Sequence, residues 1–199
     1  MTAVVRAGER YRSVQNGIES WHCFAAGGHY DPANVSFGTL IGCDEHLIAP
    51  GAGFDWHRHR GVEILSWVLS GALRHEDSSG RIRQVLPGEV LVQSTGAGIG
   101  HCEQNASSIE PLRLIQMTLL GGEAPASTRL ADPPVDVAGA RFAVWTDYGR
   151  AETARWHVFV GSGTWRLGAG ELAVGDSARG DGELSAAGSG ELLVWLLEV

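Results

Sequence analysis

Apolar residues along this chain fall in short runs broken by glycine, proline or polar pairs, and long helical periodicity is nearly absent. Residues 1–17 (MTAVVRAGERYRSVQNG) read as an irregular or frayed lead. Residues 21–25 predict a first strand, and the GGHYDP stretch after it is a loop punctuated by Gly27, Gly28 and Pro32. FGTLIGCDEHLIAPGAGF predicts two short strands around Asp44 and Glu45, then a turn at Pro50 and Gly51. Residues 62–69 form an apolar, β-rich strand, and Ser70-Gly71 turns it into ALRHED. The DSSG that follows is a hairpin loop, so His75, Glu76 and Asp77 read as a polar turn with solvated charges, although they also invite a second metal site. Residues 81–86, VLVQS and residues 112–119 complete the strands of this half.

From Gly121 to Pro134 the pattern dissolves, which predicts a crossover. Beyond it RFAVWTDYG, RWHVFVG, GTWRL, GELAVGD, GELSA and GELLVWLLEV recur at the spacing of a second β-barrel or sandwich. The expected organisation is an N-terminal domain over 1–122, a linker over 123–138 and a C-terminal domain over 139–199.

Composition sharpens this picture. The 28 glycines and seven prolines are spread along the chain, as many tight turns between short strands require, so the expected class is all-β. Hydrophobic content of 44% with 19% charged residues describes an ordinary globular protein. A net charge of -8 without a basic cluster argues against direct nucleic-acid binding. Neither a signal peptide nor a membrane-length apolar run is visible, so the expectation is a cytoplasmic protein without a membrane partner. Cys23, Cys43 and Cys102 are odd in number and at no zinc-finger spacing, as reduced thiols would be.

The candidate chemistry sits between Gly51 and Asn105. Side chains two apart in a strand share a face, so His57 and His59 point one way, and His101 and Glu103 do likewise on a second strand. Imidazole and carboxylate together suit iron, copper, nickel, manganese or zinc, with coordination positions left open for water, oxygen or substrate. Cys102 alternates away from that face and reads as packing. The glycine-rich STGAGIGH lacks the Lys-Ser/Thr ending of a phosphate loop; its glycines let the backbone bend before His101. His46 and His157 have no partner at ligand spacing and are expected to be structural or, for His46, exposed.

Gly51, His57, His59 and Glu63, followed by Gly98, His101 and Asn105, resemble the two halves of the cupin signature. The segments WHCFAAGGHYDP, FGTL, APGAGFDWHRHRGVEI, LSGALRHEDSSG, PGEV, STGAGIGHCEQN and EPLRLIQM narrow the resemblance to the pirin family. It implies a bicupin of two jelly-roll β-barrel domains, the C-terminal one compact, degenerate and without metal. It also implies one metal, usually iron as Fe(II), held by His57, His59, His101 and Glu103. Glu63 then becomes a neighbouring carboxylate, either a proton-handling catalytic group or a hydrogen-bond anchor for a ligating imidazole. Arg58 departs from the family, where proline is usual.

By the same resemblance the GGHYDP loop crosses the barrel mouth, making His22, His29 and Tyr30 candidates for the substrate-binding rim, while Tyr30 and Asp31 can equally cap a turn. Two functions follow: an iron-dependent dioxygenase of quercetin 2,3-dioxygenase type, acting on a flavonol or another enediol chelator, or a metal-dependent redox-sensing regulator that binds partner proteins. A cupin-type sugar isomerase fits less well, because it lacks the second carboxylate at the position of Glu103.

Overall fold

Period-two alternation of apolar and polar side chains is what a half-buried sheet requires, and the computed structural model of the protein is built almost wholly from it. It describes residues 2–121, 124–168 and 170–197. The strands are β1 (Ala3–Val5), β2 (Tyr11–Gln15), β3 (Ile18–His22), β4 (Leu40–Ile48), β5 (Gly53–His59), β6 (Val62–Ser70), β7 (Leu73–Asp77), β8 (Ile82–Val85), β9 (Val90–Ser94), β10 (Ile99–Asn105), β11 (Leu112–Leu120) and β12 (Ser127–Ala131). They continue with β13 (Val135–Val137), β14 (Ala140–Trp145), β15 (Tyr148–Ala151), β16 (Arg155–Val160), β17 (Thr164–Leu167), β18 (Gly170–Ala173), β19 (Ser177–Asp181), β20 (Leu184–Ser189) and β21 (Leu192–Leu197). A single 3-10 turn, Ala7–Glu9, is the helical part of the described residues, and none of their helices is long and apolar enough to cross a membrane.

The chain divides into two compact units, each described by itself. The larger holds Tyr11–Ser36 and Leu40–Asp132. It has a seven-stranded sheet in the order β12-β9-β6-β11-β4-β3-β2 and a four-stranded sheet in the order β5-β10-β7-β8. Its core draws from both: Ile18, Ile48, Val68, Leu91, Leu112 and Leu114 from one sheet, Leu73 and Val85 from the other. Each such side chain contributes about 1.5–3 kcal/mol when fully buried. β6 lies between β9 and β11 with six consecutive residues, Glu63 to Val68, buried, which explains why the strand is apolar on both faces at Ile64, Leu65, Trp67 and Val68.

The smaller unit holds the residues up to Arg10, Phe37–Thr39 and those from Pro133 onward. Its sheets run β1-β19-β16-β21-β14-β13 and β15-β20-β17-β18, and Trp156, Val158, Trp165, Leu172, Leu184 and Val194 fill the space they enclose. Cys23, Cys43 and Cys102 are buried, and none of them is in a disulfide.

Several elements differ from the sequence expectation. The supposed frayed lead contains β1, paired to β19, and β2, paired to β3. Both are edge strands with mostly exposed side chains, so they carry no apolar alternation to read. The first strand lies at Ile18–His22 rather than over 21–25, and β4 runs as one nine-residue strand straight through Asp44 and Glu45. The expected crossover contains β12, another edge strand, whose only buried side chain is Thr128. β19 was not expected at all. Its Ser-Ala-Arg-Gly-Asp sequence has no β-branched or aromatic residue, and its place is fixed by pairing with β1 and β16. Gly122 and Glu123, at the expected boundary, and Glu198 and Val199, at the end of the expected last strand, lie outside the described residues.

Candidate metal centre

Register decides which side chains meet. β10 pairs with β5 so that His101 faces His57, and with β7 so that His101 faces Asp77 and Glu103 faces His75. Residues directly opposite in an antiparallel pair share a face, so His57, His59, His75, Asp77, His101 and Glu103 all lie on one face of the four-stranded sheet. A register shift between His101 and Glu103 sets Glu103 opposite Phe54. Gly53 makes this approach feasible, because a Cβ there would collide with the Glu103 carbonyl. Arg58 alternates to the other face, where its Nη2 donates to the Gly98 carbonyl at 3.3 Å. Gly98, at a φ of 135°, is in a region open to glycine.

The donor atoms of His57, His59 and His101 converge within 4.8 Å, and those of His75, His101 and Glu103 form a second such group sharing His101. Hydrogen bonds settle which ring nitrogens are free. His57 Nδ1–H donates to the Asp55 carbonyl at 2.7 Å, which turns Nε2 and its lone pair toward His101 Nε2, 2.8 Å away. A neutral His101 then carries its proton on Nε2 against the His57 lone pair; were both Nε2 atoms given to a metal, that proton would sit on Nδ1, which lies 3.0 Å from His75 Nε2 and would donate to it. Gln93 Nε2 reaches the same His75 nitrogen at 3.1 Å. Glu103 accepts from Gln116 Nε2 at 2.8 Å and from Ser66 Oγ at 3.3 Å.

Charge follows from burial. Desolvation pulls His101 down to about 4, and it lowers His59 and His75 as well, so these rings are neutral at pH 7 and keep the lone pairs a metal needs. Burial works to raise the Glu103 pKa, but His101, His75 and the Gln116 hydrogen bond outweigh it, and the carboxyl ends below its ordinary value. Three neutral imidazoles beside an ionised carboxylate fit a divalent transition metal.

The other expected site residues are dispersed. Glu63 is buried on β6, where it accepts from Ser94 Oγ at 2.6 Å and feels Arg129; burial raises its pKa, and it belongs to neither converging group. A cavity of about 340 Å³ opens beside His57, lined by Ser13, Ser20, His22, His46 and Phe54 among others. His22 therefore faces it. His29, stacked on Tyr11 at 4.8 Å, and Tyr30, 76% exposed, are not among its lining residues. Asp31 caps its turn by accepting from Ala33 N.

His46 is buried rather than exposed; its Nδ1 meets Ser20 Oγ at 2.7 Å, and its ring stands edge-on to Phe54. The solvated turn expected at His75 and Asp77 is overturned, since they are 0% and 1% exposed. Their even spacing with Leu73 was the available signal, because Leu73, His75 and Asp77 share the buried face of β7.

Paired sheets wrapped around a core, with imidazoles and a carboxylate gathered at one end, define a cupin. Residues 4–119, more than half of the chain, match the family model described as Pirin, and the chain belongs to the pirin family. The structure superposes on a crystal structure of the bacterial pirin YhhW from Escherichia coli in complex with nickel(II), with a TM-score of 0.90 and 25% identity over 100% of this chain and 99% of that one. A quercetin 2,3-dioxygenase of Escherichia coli (strain K12) is 39% identical over 118 residues, 59% of this chain and 51% of that protein. A pirin-like protein of Caulobacter vibrioides is 36% identical over 100 residues, 50% of this chain and 43% of its own. The chain thus spans about half the length of the curated relatives it matches.

Proposed function

We propose that this pirin holds one divalent metal, Fe(II) in its working form, on His57, His59, His101 and Glu103, and oxidises a flavonol or another enediol chelator with dioxygen. The observation that carries this reading is the convergence of three imidazoles beside an open cavity. The similarity to a quercetin 2,3-dioxygenase over the matched half supports the substrate class. When bound, the metal supplies positive charge that favours the ionised form of a chelating hydroxyl, and iron adds access to dioxygen chemistry.

The chain's own residues do the rest. The Asp55 carbonyl and His75 fix the tautomers of His57 and His101, and Ser66 and Gln116 hold the Glu103 carboxylate in place. At about 340 Å³ the cavity is at the small end of ligand pockets, which run to about 300–1,000 Å³. Phe54 and Ile18 offer its apolar surface to a flat ring, while Ser13, Ser20 and His22 offer partners for ring hydroxyls. Glu63, three residues before Ser66 on β6, faces the opposite side of that sheet from Glu103 and accepts from Ser94, so we assign it a structural place rather than the proton-handling one.

Oxygen uptake by iron-loaded protein given quercetin and small enediols, with iron measured in the same samples, tests the proposal. Glu63→Gln is expected to keep both its metal and its turnover, and a loss of about 10²-fold or more at full metal occupancy would return the proton-handling role to Glu63. No uptake at full iron occupancy across that panel would overturn the oxygenase reading in favour of a metal-dependent module that binds partner proteins.

A further inference from the structure

Three neighbouring strands bring Ser13 (β2), His22 (β3) and Asp44 (β4) into line, none of them a member of the converging imidazole groups. Asp44 Oδ1 lies 2.9 Å from His22 Nδ1, and His22 Nε2 lies 2.9 Å from Ser13 Oγ. An ionised carboxylate only accepts, so Asp44 fixes the proton on Nδ1 and leaves Nε2 bare. The hydroxyl proton of Ser13 then points at that lone pair. This is the order of nucleophile, base and orienting acid that activates serine on unrelated folds, recognised by geometry and roles rather than by sequence position.

The surroundings suit the same use. The His22 side chain is 12% exposed and that of Asp44 22%, and Tyr11 stacks on the His22 ring with centroids 5.7 Å apart, so the imidazole is held against rotation. Ser13 and His22 both line the cavity of about 340 Å³, whereas Asp44 stands behind them. Gln15 and Asn16 line the same cavity. Asp44 has no part in the proposed metal chemistry, and Ser13 enters it only as a cavity-lining partner for a ring hydroxyl.

We infer that Ser13, His22 and Asp44 form a second reactive centre, an activated serine that accepts the acyl group of a small ester. Ser13 Oγ attacks the carbonyl carbon as its proton passes to His22 Nε2. The bond from that carbon to the alcohol oxygen breaks, and the proton moves from Nε2 to the departing oxygen. Water repeats the sequence on the acyl-serine, releasing the acid and restoring Ser13. Ser13 and His22 are the catalytic residues, and Asp44 is a positioning residue acting through His22. The centre does not depend on the metal.

A fluorophosphonate probe, which phosphonylates activated serines, tests this on the full-length chain, both stripped of metal and loaded with nickel(II). Intact-mass and peptide mass spectrometry should find one adduct per chain, on Ser13, at the same rate in both forms. Ser13→Ala should abolish the adduct. His22→Gln should slow its formation by at least about 10²-fold, and Asp44→Asn should slow it too, with melting curves showing that each variant is folded. If one variant unfolds, the other still reports on the relay. No adduct on Ser13, an unchanged rate in a folded His22→Gln or Asp44→Asn protein, or labelling only in the nickel form would each overturn the inference. Because the stripped protein is labelled as well, failure here is separable from failure of the oxygenase reading.

Discussion

The two units of this pirin share one architecture and differ in what fills it. In the larger, the inner face of β5, β10 and β7 carries His57, His59, His101, Glu103, His75 and Asp77. In the smaller, the enclosed positions of β16, β17 and β21 carry Trp156, Val158, Trp165, Leu192 and Val194. His157 is the one histidine after His101; burial first, and then Arg179, push its pKa to about 3, so it is neutral packing. The same backbone thus hosts a polar, ligand-ready interior or a dry one, and the side chains alone decide which.

The polar interior comes at a cost. Buried imidazoles and a buried carboxylate must find partners, and in the larger unit His75 Nδ1 and Gln93 Oε1 have none among the described residues. The smaller unit buries His157 and Asp176 too, but outside its enclosed cluster, which is apolar among the described residues and is expected to hold its structure without a ligand.

The sharpest way to break this contrast is to remove a ligand from one unit and a histidine from the other. His101→Ala should lose nearly all bound nickel(II) or iron, measured by elemental analysis, while His157→Ala should match the parent protein. Equal metal in both would dissolve the distinction. Metal binding at a hundredfold excess over its dissociation constant adds about 2.7 kcal/mol, so the parent should melt higher with metal and His101→Ala should not.

Next in size is the apolar core. Trp165, 1% exposed, sits at the centre of the smaller unit's cluster, and Trp165→Ala should cost about 3–5 kcal/mol in denaturant unfolding. A loss below 1 kcal/mol would mean that this interior is not the tightly packed one described.

His157 also gives the dry unit a pH signature. Its unfolded value is near 6.5 and its folded value about 3, so between those limits the unfolded chain binds the extra proton. Its contribution is therefore complete above pH 6.5 and lost as pH falls toward 3, by on the order of 2–4 kcal/mol. His157→Gln should flatten the stability curve across that window relative to the parent, and an identical slope would argue against a buried neutral ring.

A smaller effect is expected one step behind the ligands. His75→Leu removes the acceptor of the His101 Nδ1 proton and should weaken metal binding about 10- to 100-fold by competitive titration. Restored affinity in His75→Gln would assign that loss to the hydrogen bond rather than to packing. Smallest of all is Arg58→Ala. Its exposed contact with Gly98 is long, and the change in metal affinity should stay within about 0.5 kcal/mol; a larger loss would make Arg58 the brace that replaces the family's proline.

The sequence by itself determined the all-β class, the family and which candidate ligands share a strand face. Period-two patterning and glycine-marked turns are local properties, and two ligands spaced by one residue must share a strand face. It could not determine β1, β2 or β12, edge strands held by backbone pairing that carry little apolar pattern, nor β19, an inner strand whose Ser-Ala-Arg-Gly-Asp sequence has no β-branched or aromatic residue. Only tertiary structure decided that His75 and Asp77 are buried behind His101. Their neighbours DSSG make a polar turn whichever way the strand before it faces, and the register of β7 against β10 turned those side chains inward. The same holds for Ser13, His22 and Asp44, 31 residues apart along the chain. Neither spacing nor composition relates them; the lateral order of β2, β3 and β4 in one sheet does, because adjacent strands bring distant residues to hydrogen-bonding distance.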